Sequence, residues 1–224
     1  MAIAEKDFKE FMRNMMLLTM PILPILMAFM FTASPIPNEL KGNLGVTVLA
    51  ICFVSVITIG MMTMMAEEKE KNTLRGLINS PASMFDIMVG KSIVLIIMFF
   101  ISAVTCCYIL KYNPIPDWKT FLSFIMLLLF FLSLGVMVGL IVKSVSQTSL
   151  YSLPVLFIFA MSPNYINMGI DKDTMFMKAN EYTPMMQHFR LSETGDIKHL
   201  IFIALWLLIC IIITAFLFKK NSID

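Results

Sequence analysis

An all-α integral membrane protein with six transmembrane helices is what this sequence predicts, and three observations carry that reading. Six apolar runs follow one another along the chain, each close to the roughly 20 residues that a bilayer core demands. No Asp, Glu, Lys, Arg or His falls inside any of them. Charged residues are 14% of the chain and hydrophobic ones 58%, whereas a soluble domain carries about 25% charge. A net charge of +2 is too small to point to nucleic acid.

Residues 4–14 come first. Phe8, Phe11, Met12, Met15 and Met16 recur at helical spacing, with Lys6, Lys9, Glu10 and Arg13 on the other positions. That pattern predicts an amphipathic helix lying in the membrane interface. Acids mixed among the bases, and the further spans that follow, argue against a signal peptide. The spans are expected at Met15–Thr32, Leu44–Met65, Ser92–Leu110, Phe121–Val142, Val145–Met161 and Leu200–Phe218. Pro21 and Pro24 predict a kink in the first. The fifth is short and contains Gln147 and Pro154. In the fourth, Gly135 and Gly139 form a GxxxG pair, which lets helix backbones approach and predicts packing within the chain.

An even number of spans puts both termini on one side, and Lys and Arg choose it. Ten fall on the side of the termini and of the loop around Lys69, and seven on the other. Both termini are therefore expected in the cytoplasm. No repeat or low-complexity tract divides residues 1–224, so a single transmembrane domain is expected.

Two polar stretches interrupt the apolar pattern. Residues 66–91 hold eight charged residues: Glu67, Glu68, Lys69, Glu70, Lys71, Arg75, Asp86 and Lys91. Leu74, Leu77 and Ile78 share one face of an expected helix from Glu67 to Asn79. Ser80-Pro81 then ends it and starts the next, and Ser83 with Asp86 reads as a capping box. A solvated loop between two spans is the plainer account of the same stretch. The second polar stretch, residues 162–199, contains Asp171-Lys172-Asp173, Tyr182-Thr183-Pro184 and Gly195-Asp196-Ile197.

Several chemistries are excluded by what is missing. Gly90-Lys91-Ser92 lacks the glycine that a phosphate-binding loop needs five residues earlier, where Phe85 stands. HExxH and GxSxG are absent, and His188 and His199 lie outside the spans. Spans without ionisable groups argue against an ion-coupled carrier. Cys52, Cys106, Cys107 and Cys210 all lie in apolar runs, as small hydrophobes rather than metal ligands or a disulfide framework. The reading is of a protein that is not itself an enzyme and holds no metal.

The order Glu67-Glu68-Lys69-Glu70, Thr73-Leu74, Leu77-Ile78, Ser80-Pro81, Ile87, Gly90-Lys91 resembles the coupling segment of type-2 ABC exporter permeases. It departs from that family's wording at Asn72, where an Arg-Gly pair usually begins, and at Arg75, where an acid is common. The stretch before the last span resembles the same family, whose short external re-entrant helices cap the pathway. The resemblance implies a half-transporter in a bacterial plasma membrane. It pairs with an identical or related second permease subunit and with an ABC ATPase subunit, which binds the ATP and magnesium. It implies ATPase contact through Leu74, Leu77 and Ile78, with Glu67, Glu68, Glu70 and Arg75 at the rim and the Ser80-Pro81 turn transmitting motion. A pathway at the subunit seam would draw on Met61, Met62, Met64 and Met65, with Phe157, Phe159 and Met161. Lipid-facing filler is the plainer use of those methionines. Hydrophobic or amphipathic cargo is expected, peptide first, with lipid or drug as alternatives. A membrane scaffold or sensor is the rival class, and a secondary transporter the third.

Overall fold

The computed structural model describes residues 15–33, 38–70, 84–168, 170–171 and 173–221. The expected interfacial helix, with Phe8, Phe11 and Met12, lies outside them. So do Leu74, Arg75, Leu77, Ile78, Ser80 and Pro81. Among the described residues the chain is helical, without strands.

The first apolar run breaks where proline demands it. Helix α1 (Met15–Thr19) stops before Pro21 and α2 (Ile22–Ala33) resumes after it. Pro21 has no N–H to donate, and its carbonyl instead accepts the Ser102 hydroxyl of the third apolar run at 3.1 Å. Pro24 sits in the first turn of α2, where the N–H has no helical partner in any case.

A continuous rod follows, made of α3 (Asn38–Cys52), a π-helical stretch (Phe53–Ile59) and α4 (Gly60–Glu70). It runs past the expected end of the second span, so Glu67–Glu70 continue this helix rather than opening a new one. Helix α5 (Met84–Leu110) carries the third apolar run. Helix α6 (Trp118–Ile141) opens on a capping box in which Asp117 accepts the Thr120 N–H and the Thr120 hydroxyl bonds the Asp117 N–H. Helix α7 (Val145–Val155) contains Pro154 and passes into a second π-helical stretch, Leu156–Ala160. The missing proline N–H lets the ladder slip there, and Met161 N–H donates to Leu156 C=O, five residues back. After a 3₁₀ turn (Asn164–Met168) come two short helices, α8 (Met175–Glu181) and α9 (Pro184–Thr194). Gly195 closes α9 in the left-handed conformation at φ 67°, as a helix C-terminus commonly requires. Helix α10 (Lys198–Asn221) ends the fold.

Among the described residues four helices are long and apolar enough to cross a membrane: Gly42–Glu70, Gly90–Leu110, Trp118–Ile141 and Lys198–Lys219. Leu17–Ala33 and Val145–Ala160 are apolar but shorter. The rod is the centre of the bundle. Of its most apolar stretch 94% is buried within the chain, against 22% for the last helix, whose outer face is left for lipid or another chain. Phe53 of the π stretch stacks on Phe131 and packs at a tilt against Phe99 and Phe124, joining the rod to α5 and α6 in one aromatic cluster.

Candidate functional site

Three consecutive residues at the end of the rod each reach a different helix. Successive residues on an α-helix point about 100° apart, so Glu68, Lys69 and Glu70 fan over more than half the rod's circumference. Glu68 meets Lys91 of α5 at 3.1 Å, both side chains almost wholly buried. Lys69 Nζ donates to the carbonyls of Leu140 and Val142, at the C-terminal end of α6. Glu70 accepts the Val145 N–H, the first of α7, at 2.9 Å. Each charge has the sign that its partner wants. A cation sits on orphan carbonyls where the α6 dipole is negative, and a carboxylate on an orphan N–H where the α7 dipole is positive. The ends of four helices are thus lashed together immediately before residues 71–83.

This placement changes the expected role of the acids. Glu68 and Glu70, read as rim contacts for an ATPase, are engaged inside the chain; Glu67 is half-buried beside them. Lys91, which the sequence offered only as part of a motif, is the buried partner. Part of the signal was present: an acid three residues past one span and a base just before the next, on antiparallel helices.

The rod is also locked along its length. A Cβ on Gly135 would lie 2.7 Å from the Thr58 carbonyl and 2.8 Å from Met61 Cβ, and one on Gly139 would lie 2.7 Å from Met65 Cβ. The two glycines receive the rod within the same chain. Thr58 Oγ1 donates to Phe131 C=O of α6 at 3.1 Å, fixing the register. Met61, Met62, Met64 and Met65, expected on a pathway surface, are buried within the chain, with Met61, Met62 and Met65 against the two glycines. Thioethers fill the uneven gap over glycines well. Of the other expected pathway residues, Phe159 is buried against Phe130 and Trp206, Met161 is half-buried and Phe157 is exposed. Met15 is exposed at the start of α1.

At the opposite end of the bundle α8 and α9 form a cap. His188 Nδ1 lies 2.6 Å from Ser123 Oγ of α6, and His199 Nδ1 lies 2.7 Å from Gln187 Oε1. Asn180 donates to the Ser162 carbonyl, and the Trp206 indole to Tyr182 C=O. Burial pushes His188 down to a pKa of about 4. Nothing in the spacing of residues 162–199 marked these as buried partners; Gly195 alone was legible as a turn.

A family model described as ABC-2 type transporter matches residues 1–169. That covers most of the chain, including residues 66–91 and the helices they join. No curated protein matches it.

Proposed function

The chain belongs to the ABC-2 type transporter family, and from that premise we propose that it is the permease subunit of an ABC exporter driven by a separate ATPase. Six spans cross a bacterial plasma membrane, with both termini and residues 66–91 in the cytoplasm and the cap outside. ATP and magnesium are bound by the partner ATPase. Two permease subunits, identical or related, complete the transporter. The cargo is hydrophobic or amphipathic, with peptide favoured over lipid or drug, since the spans carry no charge to pair with a charged substrate.

The observation that carries this reading is the triple tie at Glu68, Lys69 and Glu70. In the proposed mechanism Leu74, Leu77 and Ile78 seat in an apolar groove of the ATPase, with Glu67 and Arg75 at its rim. Closure of the ATPases moves that helix, and the Ser80-Pro81 turn carries the motion to α5. The triple tie makes the rod, α5, α6 and α7 respond together. That is a rigid-body switch of a bistable membrane element.

The test is a mild-detergent pull-down of the tagged chain from native membranes, paired with Leu77→Asp. A stoichiometric protein with a GxxxxGK[ST] loop, captured by the native chain and lost from Leu77→Asp, supports the reading. Capture without any ATPase supports a scaffold or sensor instead. Export undiminished in Leu77→Asp removes the coupling role from this helix.

A further inference from the structure

The cap end of the bundle contains a group that the transport mechanism does not use. His188 of α9 is fully buried. Its Nδ1 faces Ser123 Oγ at 2.6 Å, and its Nε2 has no hydrogen-bond partner. The Ser123 hydroxyl also lies 2.8 Å from the Thr120 carbonyl. A hydroxyl has one proton to give. If it goes to Thr120 C=O, His188 Nδ1–H donates to Ser123 Oγ and Nε2 is left as a bare lone pair. If it goes to His188, a buried Nε2–H is left unpaired, which costs more. The first arrangement is therefore favoured: His188 to Ser123 to the Thr120 carbonyl, with a single neutral tautomer.

Protonation has no place in that geometry. It would add a charge and an unpartnered donor at Nε2 in a fully buried site. We propose that the His188–Ser123 pair is a latch that holds the cap closed while His188 is neutral and is released when the ring takes up a proton. What the latch guards is close by. Met186 and Phe189, flanking residues of the same helix, line a chamber of about 170 Å³ with Asn43 of the rod, Met177, Asn180 and Arg190.

The described charged side chains on the elements around α9 are engaged elsewhere. Arg190 pairs with Glu181 and Glu193, and Lys178 of α8 with Asp173. Lys198 of α10 pairs with Asp196, and Lys119 of α6 donates to the Gly195 carbonyl. His199 sits on Gln187. Asp117 is held below the usual carboxylate range by Thr120 and stays ionised while His188 titrates. The described side chains of α3 and the Leu156–Ala160 stretch carry no charge. Burial lowers the affinity of His188 for a proton.

The sign follows directly. A closed-state pKa of about 4 lies below the ~6.5 of a solvated imidazole, so the open cap binds the proton more tightly. Closure is at full strength above about pH 6.5 and weakens as pH falls towards 4. At about pH 5 the ratio of open to closed cap rises about thirtyfold.

Hydrogen–deuterium exchange on the full chain in nanodiscs reads this opening without ATPase or cargo, so it stands apart from the transport reading. After correction for intrinsic rates, amides of 185–191 are expected to exchange about thirtyfold faster at about pH 5 than at about pH 7.5. His188→Asn, which keeps a donor at the Nδ1 position, should lose that response. Less than about fivefold acceleration in the native chain, or an undiminished response in His188→Asn, overturns the latch. Should His188→Asn not fold, Ser123→Ala serves: it should exchange faster at neutral pH and still respond to acid. The His188 ring titration by NMR is the second measurement. A midpoint below about 5 supports the latch, and a midpoint at the solvated value of ~6.5 overturns it.

Discussion

At one end of the bundle Glu68, Lys69 and Glu70 each bring a full charge to another helix. At the other end most of the bonds that hold the cap are neutral: His188 on Ser123, Gln187 on His199, Asn180 on a carbonyl, Trp206 on a carbonyl, joined by the charged contacts of Lys119 with the Gly195 carbonyl and Arg190 with Glu181. Charge-assisted hydrogen bonds are roughly twice as strong as neutral ones, and a buried charge cannot shed its partner without a further penalty. The first end is therefore built to keep four helices together while they move. The second can let go one group at a time. Each prediction below either sharpens that difference or breaks it.

The largest effect is expected from stranding a charge. Lys91→Met takes the buried ion-pair partner from Glu68, and should lower stability by about 3–5 kcal/mol. Glu68→Met together with Lys91→Met should recover most of that loss, because a well-packed apolar pair is often as stable as a buried ion pair. Thermal melts of the two variants in detergent read the difference. Equal melting would mean that the ion pair does not tie the helices.

Next comes the seam between the rod and α6. Gly135→Ala puts a methyl against the Thr58 backbone, which cannot swing aside as a side chain can, and should cost about 1–3 kcal/mol. Gly42→Ala is the matched control, since nothing lies within 4 Å of its new Cβ; it should be neutral or stabilise by up to ~1 kcal/mol. If both melt like the native chain, the rod is free of α6 and the tie at its end acts alone.

Much of the fold was legible because membrane spans announce themselves by composition. The six apolar runs, the break at Pro21 and the close approach at Gly135 and Gly139 all follow from residue types read locally. The π-helical stretches were not legible: Pro154 marks one, but nothing local marks Phe53–Ile59. The site was half legible. Residues 66–91 stood out as charged, yet charge in a sequence reads as exposure, and only the antiparallel pairing of two spans shows that Glu68 and Lys91 bury each other. The cap histidine was invisible for the opposite reason, since a neutral polar residue in a polar loop carries no sign of burial. The methionines were ambiguous because an apolar side chain looks the same facing lipid, a pathway or two glycines.

The smallest effects test whether the two ends are independent. Asp117→Ala removes the α6 cap and should cost about 0.5–2 kcal/mol. The loss is local but not idle, because Thr120 is the residue whose carbonyl orients Ser123 under His188. Hydrogen exchange should therefore quicken in 185–191, while amides at the ends of α4, α5 and α7 keep their protection. Lys178→Ala, whose pair with Asp173 is fully solvated, should stay within about 0.5 kcal/mol of the native chain and move neither region. If Asp117→Ala loosened both ends equally, the bundle would open as one cooperative unit. The cap would then owe its closure to the whole fold, and neutral bonding at that end would serve no separate purpose.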